Sequence, residues 1–122
     1  MSDAELVIKV VAMPSDTNPD GDMFGGWILS QMDLAAYLHV RKLARRKIVT
    51  VAMDNIVFHK PVFVGDCLLC YVSVIKTGRT SVTVKVDAVV ERTRDGSVEK
   101  VTEGKFVCVA IDENRKPVAI SA

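Results

Sequence analysis

Apolar and polar residues alternate between Ser81 and Glu91. Val82, Val84, Val86, Ala88 and Val90 share one parity, and Ser81, Thr83, Lys85, Asp87 and Glu91 share the other. A period of two predicts a half-buried strand over 80–91 with one face on a core and one in water. Ile48 to Phe58, Cys67 to Ile75 and Thr102 to Ile111 are also rich in strand formers, and Leu6 to Val11 is a short fifth candidate. Pro61 stops the Ile48 run, and Gly65-Asp66, Gly78-Arg79 and Asp95-Gly96 mark turns. Strands spaced this closely predict an antiparallel meander.

The stretch from Phe24 to Arg46 breaks the pattern. It lacks proline and carries Leu, Met, Ala and Gln in helix-forming numbers. Asp22 is the expected cap, and the basic end from Arg41 to Lys47 suits a helix C-terminus. From Trp27 to Leu38 the helix is apolar over most of its circumference, which predicts an enclosed helix. The order is one strand, a long helix, then four strands. One sheet must wrap that helix, giving an α+β architecture in one domain over 1–122.

Composition narrows the partners. The 122 residues suffice for one core, and with 49% hydrophobic and 25% charged residues the chain is globular. A net charge of +1 removes the usual electrostatic case for nucleic acid. No apolar run approaches the roughly 18 residues of a membrane span. The acidic start, Met1 to Glu5, does not read as a signal peptide, and Cys67, Cys70 and Cys108 are an odd set, so reduced thiols in a cytoplasmic protein are expected. No metal is expected: His39 and His59 are far apart in sequence, and Cys67 and Cys70, three apart on a strand, face opposite ways.

Chemistry concentrates before and within the helix. A polar loop from Ala12 leads to Gly25 and Gly26 at the helix start, where each glycine costs about 1 kcal/mol relative to alanine. Unpaired N–H groups there can hold a carbonyl oxygen that gains negative charge; close packing of a strand is the alternative reason for the glycines. Asp33 lies mid-helix among apolar residues, where burial raises a carboxyl pKa and favours a base. The alternative is a structural bond to Ser30 or Tyr37. His39 falls on another helix face, and His59 reads as a surface residue.

Ala12-Met13-Pro14-Ser15-Asp16-Thr17-Asn18, Gly21 to Trp27 and Ser30-Gln31-Met32-Asp33 closely resemble the YciA-type acyl-CoA thioesterases of the hotdog fold. The likeness continues through Val49 to Ala52, Phe58 to Val62, Val64-Gly65-Asp66 and Gly78 to Ser81, covering about residues 6 to 118. It implies a curved antiparallel sheet of about five strands around one central helix, with dimers joined edge to edge and a trimer of dimers. It also implies hydrolysis of acyl-CoA to a free acid and CoA. The resemblance carries the catalytic carboxylate onto Asp33, the carbonyl donors onto the backbone of Gly25, Gly26 and Trp27, and a loop residue near the acyl group onto Asn18. One departure is Ala35-Ala36, where family members often carry glycines; the added methyls either narrow the acyl pocket or stabilise the helix.

Gly25 and Asp33 are eight residues apart, about 12 Å along a helix, so one carbonyl cannot touch both. If both act, the site lies between two chains. The CoA phosphates need cations, and the candidates are Lys60 and the turn Gly78-Arg79-Thr80-Ser81, with Arg79 as the two-donor grip. The basic helix end reads as a solvated face. Coenzyme A is part of substrate and product, and no other cofactor is expected. A non-catalytic acyl-CoA-binding module is the alternative reading. A dehydratase lacks its histidine pair here, and a purely structural dimer is the blandest option.

Overall fold

The computed structural model describes residues 4–120. Met1 to Asp3 of the acidic start, and Ser121 and Ala122 of the 1–122 domain, lie outside the described residues. The chain runs β1 (Glu5–Val11), α1 (Gly25–Ala44), β2 (Ile48–Phe58), β3 (Cys67–Thr77), β4 (Ser81–Glu91) and β5 (Val98–Ala110), with a single 3-10 turn at Pro14–Asp16. Five antiparallel strands form one sheet in the order β1-β3-β4-β5-β2, and α1 packs against every strand of it. This is the α+β hotdog arrangement expected. No helix among the described residues is long and apolar enough to cross a membrane.

The alternation in β4 translates directly into burial: Val82, Val84, Val86, Ala88 and Val90 are buried, and the intervening residues are not. The meander holds for β3, β4 and β5 but not for β2. β2 precedes β3 in sequence yet lies at the far edge, beside β5. The segment between them crosses the open end of the sheet under the helix start, where the Met23 N–H donates to the Val62 carbonyl (2.8 Å) and Asp22 pairs with Phe63. That pairing corrects the expected cap. The N-cap is Phe24, which has no capping side chain, because the Asp22 backbone is committed to Phe63. The helix ends at Ala44, where Arg45 turns left-handed at φ 54°.

The helix lies low on the sheet because its inner face is small. Ala35, Ala36 and Ala44 are fully buried beside Ile28, Met32 and Val40. Its outer face is uncovered: Leu34, Tyr37 and Leu38 are exposed, so one sheet does not enclose the helix as its apolar composition predicts. β2 is exposed too, with Val51, Met53, Val57 and Phe58 facing outward from the sheet edge or its faces. Two register shifts interrupt β2. At the second, Asn55 takes φ 53° and Ile56 turns toward buried Gly104, leaving no room there for a Cβ.

One buried ion pair anchors the crossing segment. Arg92 and Asp66 are 3% and 4% exposed, and Arg92 Nη1 donates to Asp66 Oδ2 at 2.6 Å. The same nitrogen donates to the Pro61 carbonyl at 2.9 Å, and Asp66 Oδ2 accepts the Phe63 N–H at 3.0 Å. The guanidinium also lies 5.2 Å from the centre of the Phe63 ring. Removing one partner strands the other charge out of water. Arg92→Met is therefore expected to destabilise the fold by about 3–5 kcal/mol, read by urea or thermal unfolding. A loss below about 1 kcal/mol, the scale of a surface pair, would show that the pair is not the anchor.

Candidate active site

The helix start opens into a cleft of about 360 Å³ bordered by Asn18, Gly25, Phe58, His59 and Lys60, among others. Asn18 builds its loop: Oδ1 accepts the N–H groups of Asp20 (2.9 Å) and Asp22 (3.1 Å), while Gly21 turns at φ 92°. The Asn18 side-chain amide nitrogen has no hydrogen-bond partner among the described residues, so it is available at the cleft. The Trp27 N–H donates to the Phe24 carbonyl at 3.0 Å in the first turn of the helix. The N–H groups of Gly25 and Gly26 meet no acceptor among the described residues.

The two glycines differ. A Cβ on Gly25 would come within 3.3 Å of the Phe58 ring, so strand packing accounts for that position. A Cβ on Gly26 would meet nothing within 4 Å, and its φ lies outside the left-handed region. Nothing in the chain's own packing requires glycine at residue 26. The open space above it is where a group from outside the chain can approach the backbone.

Asp33 lies farther along α1 and is only half-buried. Its partner is neither Ser30, which donates to the Trp27 carbonyl, nor Tyr37. The Thr50 hydroxyl donates to Asp33 Oδ1 at 2.7 Å, and Oδ2 has no partner among the described residues. Thr50 shares a row of the sheet with Cys108 and Val82, both buried, which directs it toward the helix. Burial raises the Cys108 thiol pKa, a hydrogen bond with Thr50 opposes the rise, and the Asp33 charge adds to it. Sequence reading missed Thr50, although its parity with Ile48 at the start of β2 carries the signal.

The candidates Gly78 to Ser81 lie at the other end of the sheet. The turn Gly78–Thr80 joins β3 to β4, with the Gly78 N–H on the Ser81 carbonyl at 2.8 Å and the Thr80 carbonyl accepting the Ala110 N–H. The C-terminal segment braces it through Ile120 N–H to the Arg79 carbonyl. The Arg79 side chain is exposed and forms no ion pair among the described residues. Val82, just past this turn, shares the row of Cys108 and Thr50. Asp33 thus belongs with the turn, and Gly25, Asn18 and Lys60 belong with the cleft.

Lys60 is not a free cation. Its ammonium donates to Glu99 Oε1 at 2.6 Å, while Glu99 Oε2 accepts from Arg92 Nε at 2.9 Å. Those two bonds, Lys60 first, hold the Glu99 carboxyl below its usual range. His59 Nε2 lies 2.9 Å from Glu103 Oε2, and Lys100 and His59 together bring the Glu103 carboxyl down to about 2. Ala35 and Ala36 do not border the cleft; their burial fits the helix-stabilising reading of those methyls. Among the described residues no group of His, Cys, Asp and Glu could hold a metal ion.

Known proteins share this fold. The chain is 39% identical to the acyl-CoA thioester hydrolase YciA of Escherichia coli, over 95% of this chain and 90% of that protein. A hexameric thioesterase from Yersinia pestis superposes with a TM-score of 0.93 at 40% identity, covering 97% of each chain. A hexameric hotdog-fold thioesterase of Campylobacter jejuni gives a TM-score of 0.90 at 43% identity, over 96% of this chain and 90% of that one. The model of the thioesterase superfamily matches residues 20–97, from the loop before α1 to the end of the β4–β5 turn, and the chain belongs to that superfamily.

Proposed function

We propose that this chain hydrolyses acyl-CoA thioesters to a free carboxylic acid and CoA, at a site shared between two subunits. The observation that carries the reading is the placement of the two reactive features. Free N–H donors stand at the start of α1, and a carboxylate with one tethered oxygen stands about 12 Å farther along the same helix. In this reading the Gly25 and Gly26 N–H groups of one subunit hold the thioester oxygen as it gains charge, with the Asn18 amide beside them. Asp33 of the partner subunit, oriented by a hydrogen bond like the one Thr50 makes here, draws a proton from water or attacks the carbonyl itself.

The uncovered helix face and the apolar β2 edge support the pairing of two copies, and the Yersinia and Campylobacter proteins are described as hexamers. A dimer through β2, three of them forming a hexamer, brings one subunit's helix start toward its partner's Asp33. Because Asp33 shares its half of the sheet with Gly78 to Ser81, that same subunit supplies the CoA end. Arg79 grips phosphate, and the Thr80 and Ser81 hydroxyls meet the pantetheine amides.

Asp33→Asn is expected to lower kcat by at least about a hundredfold while CoA binding persists. Near-normal turnover would remove Asp33 from the chemistry, and a native protein that binds acyl-CoA without cleaving it would be a binding module instead. Single-turnover hydrolysis in oxygen-18 water separates the two routes, since label in the protein carboxylate reports direct attack. Gly26→Ala is expected to raise thermal stability, by up to about 1 kcal/mol, and to cut kcat by at least about tenfold, because a methyl enters the space reserved for the oxygen. A stabilised variant with unchanged kcat would place the carbonyl elsewhere. Arg79→Ala should raise KM for acyl-CoA by roughly tenfold, an effect absent with acyl-pantetheine. An equal penalty on both substrates would assign Arg79 to something other than the nucleotide.

A further inference from the structure

The cleft beside Gly25 mixes apolar side chains with a few charged ones. Met23, Ile28, Phe58 and Pro61 provide the apolar lining. Asp22 adds a carboxylate that forms no ion pair among the described residues. Both basic side chains at the rim are already engaged by acidic residues of β5: Lys60 by Glu99 at 2.6 Å and His59 by Glu103 at 2.9 Å. Glu99 is itself fixed, since Arg92 Nε holds its second oxygen at 2.9 Å and Arg92 is locked by Asp66. Among the described residues of this chain, the lining therefore offers an anion an unpaired carboxylate and no unpaired cation. Arg79, whose side chain is unpaired, lies at the opposite end of the sheet.

We infer that this cleft receives the acyl chain rather than the CoA nucleotide, and that Glu99 and Glu103, by occupying Lys60 and His59, make the enzyme select uncharged acyl groups over acyl groups ending in a carboxylate. The inference rests on the hydrolase reading above and adds the substrate class. Two effects act together. An ω-carboxylate loses water to enter the cleft, and it meets the Asp22 carboxylate while Lys60 and His59 stay paired to Glu99 and Glu103 behind the lining. Specificity built this way comes from repulsion of the wrong substrate as much as from contact with the right one. Glu99 acts through Lys60 and touches no reacting atom, so it is a specificity-determining residue of the rim, not a catalytic one.

Hexanoyl-CoA and adipoyl-CoA test this, since the acyl groups have the same carbon number and differ in the terminal carboxylate. The native protein is expected to favour hexanoyl-CoA by at least about tenfold in kcat/KM, with the preference narrowing as salt rises. Glu99→Gln releases Lys60 and should narrow the preference by about threefold or more through a lower KM for adipoyl-CoA, the scale of one exposed ion pair. Adding Lys60→Met to that variant should erase the gain. If Glu99→Gln fails to fold, Glu103→Gln, which releases His59, should narrow the preference in the same direction. Equal kcat/KM for the two substrates in the native protein would overturn the inference while leaving the hydrolase reading intact. So would a folded Glu99→Gln protein with the native preference. If the native protein hydrolyses neither substrate, nor any other acyl-CoA, the hydrolase reading fails and this inference fails with it.

Discussion

The close seating of α1 on its sheet governs the rest of the molecule. Alanines at residues 35, 36 and 44 let the helix sink onto the valine-rich face of β3, β4 and β5, with no side chain longer than a methyl at those points. A helix held that low can reach a sheet residue with a short carboxylate. Asp33 meets the Thr50 hydroxyl at 2.7 Å, a contact that a bulkier inner face would lift out of range. The same seating leaves the far side of the helix bare, because five strands cannot curl over a cylinder about 10 Å wide and also cover its top. The Asp33–Thr50 contact and the bare outer face of the helix thus share one cause.

Elements whose signal is local were legible in the sequence. The valines of β4 predict their own burial because period-two alternation needs only neighbours along the chain. The helix was legible within a residue or two at each end, as was the importance of the loop before it. Features fixed by distant contacts were not. The edge position of β2 depends on where the chain crosses between Phe58 and Cys67, and a meander is the default when that route is unknown. Asp22 has the right chemistry for a cap, but its backbone pairs with Phe63, forty-one residues away. Lys60 reads as a free cation because its counter-ion, Glu99, lies thirty-nine residues away. Among site residues, Asp33 announced itself as a carboxylate in an apolar helix, whereas Thr50 looked like any strand threonine until the sheet brought it beneath α1.

The charged residues form a graded series from interior to rim. Asp66 and Arg92 are sealed from water, Glu99 is half-covered, and Lys60 is exposed. Each is bonded to the next: Arg92 to Asp66 and Glu99, and Glu99 to Lys60. The inner members fix the Pro61–Asp66 crossing against Met23, and so set where the helix begins. The outer members determine what charge the cleft shows. One guanidinium therefore links the placement of the Gly25 backbone to the electrostatics of the opening beside it, so changes at either end of the series are coupled through contact rather than independent.

The kinks in β2 have a consequence for how the chain avoids unwanted pairing. A long, flat, apolar strand at a sheet edge is a template for indiscriminate backbone pairing and for fibrous aggregation. β2 is apolar and lies at an edge, but it is broken twice, once after Thr50 and again around Asn55, where Ile56 turns inward over Gly104. Each break interrupts the row of donors and acceptors that an unrelated strand would need. Only a strand with matching interruptions fits along the whole edge, and a second copy of the same chain has them. The irregularity thus acts as a filter against open-ended strand pairing along this edge.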